Sequence, residues 1–533
     1  MTHPELSVSV GSAPNLLRIP GAKSALGTSA VLAVWQLLAF VTTDTMLVAN
    51  PFEVLRHTIE NSGLYARATW ATVTSAAWGF MLGNLAAVCL AALASVLPRA
   101  QGVISGLALL VFCLPLVATG PILRVLFGPG EGPQITLAAL AVYYTTYVPV
   151  LVGLRAVPAA WLDLVKSYGR GRFTALIQVQ SRAALPYLIS GLQIAAPAAI
   201  LGALVGEFTG AERGLGVLTL QAMRDLDVTA TWTIATLAAV LSILLHALIG
   251  HLARRLLRED PPLILAPPVA QNSGRRPGQG TRTAVLTACA ALGLWWGLAE
   301  ISQLSTFFLK RPDDVWSFLV SGDAATDNRA VLIAASFDTA KALLPGYFAG
   351  LAIGAGLAAL LTLLPGLTAF AMPLAIALRA APIVTTAPLL VLVVGRGFVG
   401  SAILVAVLVF FPVFIACLHG LSRAPGQVLD VMESYAASRW RTLIYARLPA
   451  MLPAFFGAAR MTVPAAVLAV TVVEWLATGR GLGALMALSA SLSDYGMLWS
   501  VTLVVSLLAV AGYAAVAWIE RHVLSIFASE QVR

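Results

Sequence analysis

The sequence predicts an all-α polytopic membrane protein of about twelve transmembrane helices, arranged as two parallel six-helix repeats. Three observations predict it. Of 533 residues, 59% are hydrophobic and only 11% charged, whereas soluble domains are about a quarter charged. Too few polar groups remain to cover a water-facing surface. Apolar windows near the roughly 20-residue membrane length recur along the chain. A single gapless shift of 267 residues then lays the first half on the second, Thr72 on Thr339 and Glu207 on Glu474.

The apolar windows fall at about 25–43, 74–98, 102–124, 134–154, 187–206 and 231–252, and again at about 283–303, 340–364, 368–394, 398–419, 454–475 and 497–519. The first follows Arg18 and Lys23 and is of membrane-span length, so it predicts an uncleaved helix with a cytoplasmic N-terminus rather than a signal peptide. Twelve spans from that start return the C-terminus to the cytoplasm. About 20 of the 33 Lys and Arg then lie inside and about 9 outside, with Arg124, Lys341, Arg379 and Arg460 ambiguous. The net charge of +9 is therefore a matter of topology, and no nucleic-acid partner is expected. The expected location is the inner membrane.

The shift by 267 residues also pairs Gly79 with Gly346, Gly83 with Gly350, Pro115 with Pro382, Pro121 with Pro388 and Gly128 with Gly395. Chance similarity of apolar helices does not keep Gly, Pro and acidic positions in register. Six spans per copy is an even number, so the copies run parallel about an axis along the membrane normal, with a pathway expected at their interface. Residues 1–253 form the first repeat, the Pro/Gly/Arg-rich stretch 254–282 a cytoplasmic linker, and 283–533 the second repeat.

Between the fourth and fifth spans of each copy lies a long polar segment, Leu154–Pro186 and Leu421–Pro453. Pro158 and Pro425 suit helix starts, where the missing N–H costs nothing. Asp163 and Ser167 are i,i+4 neighbours, and Asp430, Glu433 and Ser434 share a face. Gly169 permits a left-handed turn, whereas its counterpart Ala436 does so less cheaply. A second short helix, carrying Arg172 or Arg439, is expected to end at Leu185-Pro186 or Leu452-Pro453. Helix, turn and helix on the cytoplasmic face make a knob suited to a partner's groove.

These residues resemble the EAA loop of permease subunits in bacterial type I ABC importers, the binding-protein-dependent inner-membrane components. That pattern is EAA, three residues, Gly, nine residues, then I-x-L-P. The resemblance extends to Glu207…Gly214-Leu215-Gly216, Glu474…Gly481-Leu482-Gly483, Pro115…Pro121…Gly128 and Asn50-Pro51-Phe52-Glu53-Val54. Together these look most like the nitrate/sulfonate/taurine/bicarbonate branch. The EAA triplet itself is degenerate, Asp163-Leu164-Val165 and Asp430-Val431-Met432, and Leu448-Pro449 of the second copy is matched by Ser181-Arg182 in the first. The resemblance implies the type I importer permease fold, import, two copies of a cytoplasmic ABC ATPase beneath the loops, and an extracytoplasmic substrate-binding protein. It implies a small anion such as a sulfonate as substrate, with a thiamine-precursor-like heterocycle as the alternative. It also implies ATPase coupling through Asp163, Ser167, Gly169, Arg172, Pro186, Asp430, Glu433, Ser434, Ala436, Arg439 and Pro453.

No GxxxxGK[ST] is present, and Gly21-Ala22-Lys23-Ser24 lacks the preceding loop. ATP and Mg are therefore expected on partner ATPase subunits, with no cofactor in this chain and no enzymatic activity of its own. Cys89, Cys113, Cys289 and Cys417 sit singly in apolar runs and are expected as small buried hydrophobes. His246 and His251, five apart, do not share a helical face for a metal. Glu207 and Glu474 are expected at outer span ends, bracing the Gly-Leu-Gly turns or lining the gate. Pro121, Pro388 and Arg379 are further pathway candidates, and Trp475, opposite Phe208, is expected as a membrane-interface anchor. Two other classes remain: a secondary transporter or channel with parallel repeats, and a polytopic membrane enzyme, for which no catalytic cluster is visible.

Overall fold

A computed structural model describes residues 48–256, 279–302, 304–364 and 397–527, isolated residues within 29–42, and residues 366 and 395. Among the described residues the protein is all-α and polytopic. Nine helices are long and apolar enough to cross a membrane, or ten when one bent pair counts as a span. The expected span 368–394, with Arg379, Pro382 and Pro388, lies outside the described residues, as does most of the linker.

The N-terminal half opens with α1 (Pro51–Glu60). The Asn50 side chain accepts from the Phe52 N–H at 2.9 Å, the Glu53 carboxylate accepts from the Asn50 N–H at 3.3 Å, and Pro51 takes the first helical position. Next come α2 (Ser62–Val96), α3 (Gln101–Phe112), α4 (Leu116–Phe127) and α5 (Gly132–Arg155). After α6 (Ala159–Ser167), the helix α7 spans Arg172–Phe208, followed by α8 (Leu215–Arg224) and α9 (Val228–Leu256). The C-terminal half holds α10 (Gln279–Ile301), the short α11 (Pro312–Trp316) and α12 (Ala325–Leu363). It continues with α13 (Phe398–Ser422), α14 (Gly426–Ser434), α15 (Arg439–Leu476), α16 (Gly481–Ser491) and α17 (Tyr495–Phe527).

Three expectations need correction. The window 102–124 is not one straight span, because α3 and α4 meet at 91°. Pro115, in extended geometry at φ −71° and ψ 109°, caps α4; its ring also disfavours helical backbone at Leu114. The helices after the polar turns do not stop at Leu185-Pro186 and Leu452-Pro453. Pro186 and Pro453 lie inside α7 and α15, each preceded by a wide π-type turn, Leu176–Gln180 and Leu443–Arg447. Such turns and kinks let a membrane helix absorb a missing N–H. Of the four cysteines, Cys113 and Cys417 are buried but Cys89 and Cys289 are exposed, since those faces of α2 and α10 meet no described neighbour.

Helix packing is close because small residues face backbone. A Cβ on Gly79 would collide with Ala138 and the Ile135 carbonyl of α5, and one on Gly346 with the Ala402 carbonyl of α13. Close approach through Gly at four-residue spacing is how helices associate where no water drives them together. The halves share core. Val472 and Trp475 of α15 pack with Leu116, Leu204 and Leu215 of the N-terminal half, and Cys113 and Ala118 with Leu482 and Val501 of the C-terminal half. Trp475, partly buried, packs in the seam between the halves. Gly102 and Gly106 of α3 lie against Thr283 and Thr287 of α10.

Candidate functional site

Two pairs of structures sit at positions related by the 267-residue shift, and each is built from its local sequence.

The first pair is α6 with its turn and α14 with its turn. Both helices end in the same cap. The Gly169 N–H donates to Lys166 O (2.8 Å) and the Arg170 N–H to Val165 O (3.2 Å); the Ala436 N–H donates to Glu433 O (2.8 Å) and the Ala437 N–H to Met432 O (2.9 Å). This is the Schellman arrangement, which needs a left-handed residue after the last turn. Gly169 supplies it at φ 69°, and Ala436 is held at φ 50° despite its Cβ.

The faces presented by α6 and α14, their turns and the first residues of α7 and α15 are apolar. Trp161, Leu164, Tyr168, Phe173 and Ile177 are exposed, and so are Val428, Val431, Tyr435, Trp440 and Ile444, the same five positions after the shift. Among the described residues Asp163 is held by the exposed Lys166 ammonium at 2.9 Å, a contact worth little in water. The Ser167 and Ser434 hydroxyls donate back to Leu164 O and Val431 O at 2.8 Å. Asp430 and Glu433 are exposed. Glu433 stands where the first helix has Lys166, so the two faces differ in charge. Arg172 donates to Val96 O at 3.4 Å, at the carbonyl end of α2, where a cation meets the helix dipole. Arg439 instead lines a cavity of about 450 Å³ together with Glu433, Thr362 and Arg447.

The second pair is a carboxylate pin. Glu207, 2% exposed, accepts from the Thr72 hydroxyl at 2.7 Å and from the Gly216 N–H at 2.6 Å, while Thr72 Oγ1 accepts from the Leu215 N–H at 2.9 Å. Glu474, 3% exposed, accepts from the Thr339 hydroxyl and the Gly483 N–H, both at 2.9 Å, and Thr339 Oγ1 accepts from the Leu482 N–H at 2.9 Å. Each carboxylate thus ties the start of α8 or α16, where backbone N–H groups lack helical partners, to the long helix α2 or α12. Gly214 (φ 135°) and Gly481 (φ 87°) are required there, since a Cβ at either would strike the carboxyl group. Spacing alone showed the Glu near its Gly-Leu-Gly turn; the part of Thr72 and Thr339 was missed, although their place in the shift was the signal.

Pro121 lies inside α4, and Gly128 (φ 69°) and Gly130 (φ 134°) form the turn into α5. Arg379 and Pro388 are outside the described residues. Sequence reasoning also missed a buried ion pair, Arg460 Nη1 to Glu520 Oε2 at 3.2 Å, with the Tyr513 ring 5.5 Å from the guanidinium carbon.

A family model described as binding-protein-dependent transport system inner membrane component matches this chain twice, over residues 70–258 and 342–525. The chain belongs to that family. It is an ABC importer permease. Among relatives, a probable ABC transporter permease protein of Haemophilus influenzae is 29% identical over 44% of this chain and 96% of its own length. The riboflavin transport system permease protein RibX of Chloroflexus aurantiacus is 28% identical over 41% of this chain and 81% of its own. A putative aliphatic sulfonates transport permease protein, SsuC, of Bacillus subtilis is 24% identical over 46% of this chain and 90% of its own. Each relative is nearly spanned by less than half of this permease.

Proposed function

We propose that this permease is both transmembrane halves of an ATP-driven importer fused in one chain: twelve helices in two parallel six-helix repeats, 1–253 and 283–533, joined by the cytoplasmic linker 254–282. Both termini face the cytoplasm of the inner membrane. Two copies of an ABC ATPase, which carry ATP and Mg, seat on α6 and α14, and an extracytoplasmic binding protein delivers substrate to the opposite face.

The observation that carries this reading is the repeated exposed apolar face, Trp161/Val428 through Ile177/Ile444. Single exposed apolar residues need no explanation, but two matched clusters on short polar-flanked helices are what an unoccupied protein interface looks like. Asp163, Ser167, Arg172 and Pro186, with Asp430, Glu433, Ser434, Arg439 and Pro453, frame those faces, while Gly169 and Ala436 set the turns. Closure of the ATPase dimer on ATP moves both helices, and α7 and α15, continuous with the turns through Phe208 and Leu476, carry the motion to the Glu207 and Glu474 pins. The shift between inward- and outward-facing states follows only from the partners' differing affinity for the two. Glu207, Glu474, Pro121, Pro388 and Arg379 are the gate and pathway candidates.

For the substrate, the sulfonate permease similarity supports a small anion such as a sulfonate or nitrate. The similarity to the riboflavin permease RibX and to a formylaminopyrimidine permease, ThiX, of Halalkalibacterium halodurans, 26% identical over 43% of this chain, favours a nitrogen heterocycle as a second reading. A ligand screen on the binding protein decides between them.

The function itself is tested by Tyr168→Asp with Tyr435→Asp. Expected is a folded chain that no longer retains its ATPase on purification and no longer supports uptake. Uptake that persists with a hydrolysis-dead ATPase and follows an ion gradient overturns the reading in favour of a secondary transporter.

A further inference from the structure

Each half carries a short helix ahead of its long helix α2 or α12, and the two correspond under a shift of 261 residues. Pro51 falls on Pro312, Val54 on Val315, Leu55 on Trp316 and Ile59 on Val320. The first is α1; the second is α11 with the wide π-type turn Ser317–Ser321 that continues it. Both are capped alike, since the Arg311 N–H donates to the Asp314 carboxylate at 2.9 Å as the Asn50 N–H does to Glu53.

At about 3.6 residues per turn each helix presents three sectors. The first faces the bundle. Val54 and Val315 are buried. His57 Nδ1 lies 3.2 Å from the Tyr65 hydroxyl of α2 and 3.4 Å from Thr233 Oγ1 of α9, and the Phe318 ring lies against Gly496 of α17. The second sector is apolar and exposed: Leu55 and Ile59 at 56% and 64% in one copy, Trp316 and Val320 at 65% and 48% in the other. The third is polar, with Glu53, Arg56 and Glu60 matched by Asp314, Ser317 and Ser321. Phe52 widens the apolar sector of α1, where the second copy has Asp313.

A duplicated indole pin sets the depth. Trp35 Nε1 donates to Ala49 O and Trp295 Nε1 to Lys310 O, both at 3.0 Å; each carbonyl belongs to the residue just before an N-cap. Trp35 stacks on Trp232 of α9 with ring centroids 5.6 Å apart, and Trp295 on Trp499 of α17 at 5.5 Å. Trp295 precedes the end of α10 at Ile301 by about 9 Å of helix. The chain thus leaves its span and folds back beside it before the short helix begins. That is the level, between hydrocarbon and headgroups, where tryptophans concentrate. Below it a groove of about 280 Å³ runs from Thr58 of α1 past Tyr65, Trp70 and Val73 of α2 and Leu237 of α9. It opens onto the exposed apolar flank of the spans at Trp78, Leu82 and Leu244. Leu55, three residues before Thr58, lies on the edge of α1 beside that groove.

Apolar residues exposed singly are ordinary, but an apolar stripe bordered by a polar one at this depth is the pattern of a helix lying in the headgroup boundary. We propose that α1 and the Pro312–Ser321 helix rest in the outer leaflet of the bilayer, with their apolar sectors among the acyl chains and their polar sectors at the level of phosphate and water. The partner is the phospholipid leaflet itself. Each helix then holds at fixed depth the end of α2 or α12 that the Glu207 or Glu474 pin ties to α8 or α16. Naming the leaflet as outer rests on the proposed topology; both helices stand at the opposite end of the bundle from the α6 turn, whose Arg172 meets the far end of α2 at Val96.

The test uses the full chain, with Cys89, Cys113, Cys289 and Cys417 replaced by Ala, in proteoliposomes of phosphatidylethanolamine and phosphatidylglycerol. Single spin labels are attached through Leu55→Cys, Ile59→Cys, Trp316→Cys and Val320→Cys in the apolar sectors. Arg56→Cys, Glu60→Cys, Ser317→Cys and Ser321→Cys report the polar ones. Collision with oxygen, which dissolves among acyl chains, relative to a water-soluble nickel chelate is expected to be at least about three-fold higher in the first set. Equal ratios in the two sets put the helices in water and overturn the proposal. Shielding of the first set from both collision partners means that protein, such as a second copy of this chain, covers the face, and overturns it as well. If the cysteine-free chain does not fold, a benzophenone side chain at position 59 or 320 of the otherwise unaltered chain serves instead. A photoadduct of phospholipid mass is expected, and one of protein mass overturns the proposal. A membrane-impermeant thiol reagent that reaches Glu60→Cys and Ser321→Cys only from the cytoplasmic side of sealed vesicles overturns the outer leaflet and with it the topology. Labelling from the extracytoplasmic side without the sector pattern fails this inference alone.

Discussion

Arg460 and Glu520 form an ion pair, 3.2 Å apart with side chains 6% and 4% exposed, that fastens α15 to α17. The corresponding positions of the N-terminal half are Gln193 and Ala253. There α7 meets α9 through an amide and an imidazole, Gln193 Nε2 to His246 Nε2 at 3.2 Å and His246 Nδ1 to Gln193 O at 3.0 Å. Equal folds are therefore locked by unequal chemistry.

Removing one member of a buried pair strands its partner's charge. Glu520→Ala is expected to destabilise the C-terminal half by about 3–5 kcal/mol. Arg460→Gln/Glu520→Ala, which leaves no charge stranded, is expected to cost less than Glu520→Ala alone. A double-mutant cycle by thermal unfolding in a fixed detergent checks both; additive losses refute the coupling.

The carboxylate pins make a second prediction. Thr72→Val leaves Glu207 and the Leu215 N–H each short of a partner, and Thr339→Val does the same to Glu474 and Leu482. Each is expected to cost about 1–3 kcal/mol, and Ser at either position restores most of it. Hydrogen exchange at Leu215, Gly216, Leu482 and Gly483 reports the effect, which stays confined to the mutated half.

The turns after α6 and α14 differ in strain. Ala436 holds φ 50° with a Cβ, so Ala436→Gly is expected to stabilise the second turn by about 1 kcal/mol, and Gly169→Ala to weaken the first by a similar amount. Local exchange rates of the Ala437 and Arg170 amides measure this. Opposite signs are required.

Close helix contacts give a fourth. Gly79→Val and Gly346→Val force side chains into the backbone of α5 and α13, with a cost of about 1–3 kcal/mol or more. The yield of monodisperse protein falls in each, whereas Gly63→Val, where nothing lies within 4 Å of an added Cβ, leaves it unchanged.

Much of this was legible beforehand because the membrane imposes it on composition. Hydrocarbon-length apolar runs gave α5, α9, α10, α13 and α17 to within a few residues at most of their ends. The windows underestimated α2 and α12, whose helices start at Ser62 and Ala325, since polar turns such as Tyr65–Arg67 continue a helix without registering as apolar. Pro115 pairs with Pro382 in the shift, but the pairing does not announce a 91° corner, because proline bends some membrane helices and is absorbed by others, as at Pro186. Glu207 was placed near its turn by spacing alone, nine residues from Gly216.

What the sequence determined by itself was the solvent, the duplication and the location of the paired polar turns. Those are set by composition and by a register that survives without coordinates. What only the tertiary structure decided was which distant groups share a site: Thr72 with Glu207, and Arg460 with Glu520. Partners 60 to 135 residues apart in sequence meet through helix packing, and periodicity along one helix carries no information about the helix that will face it.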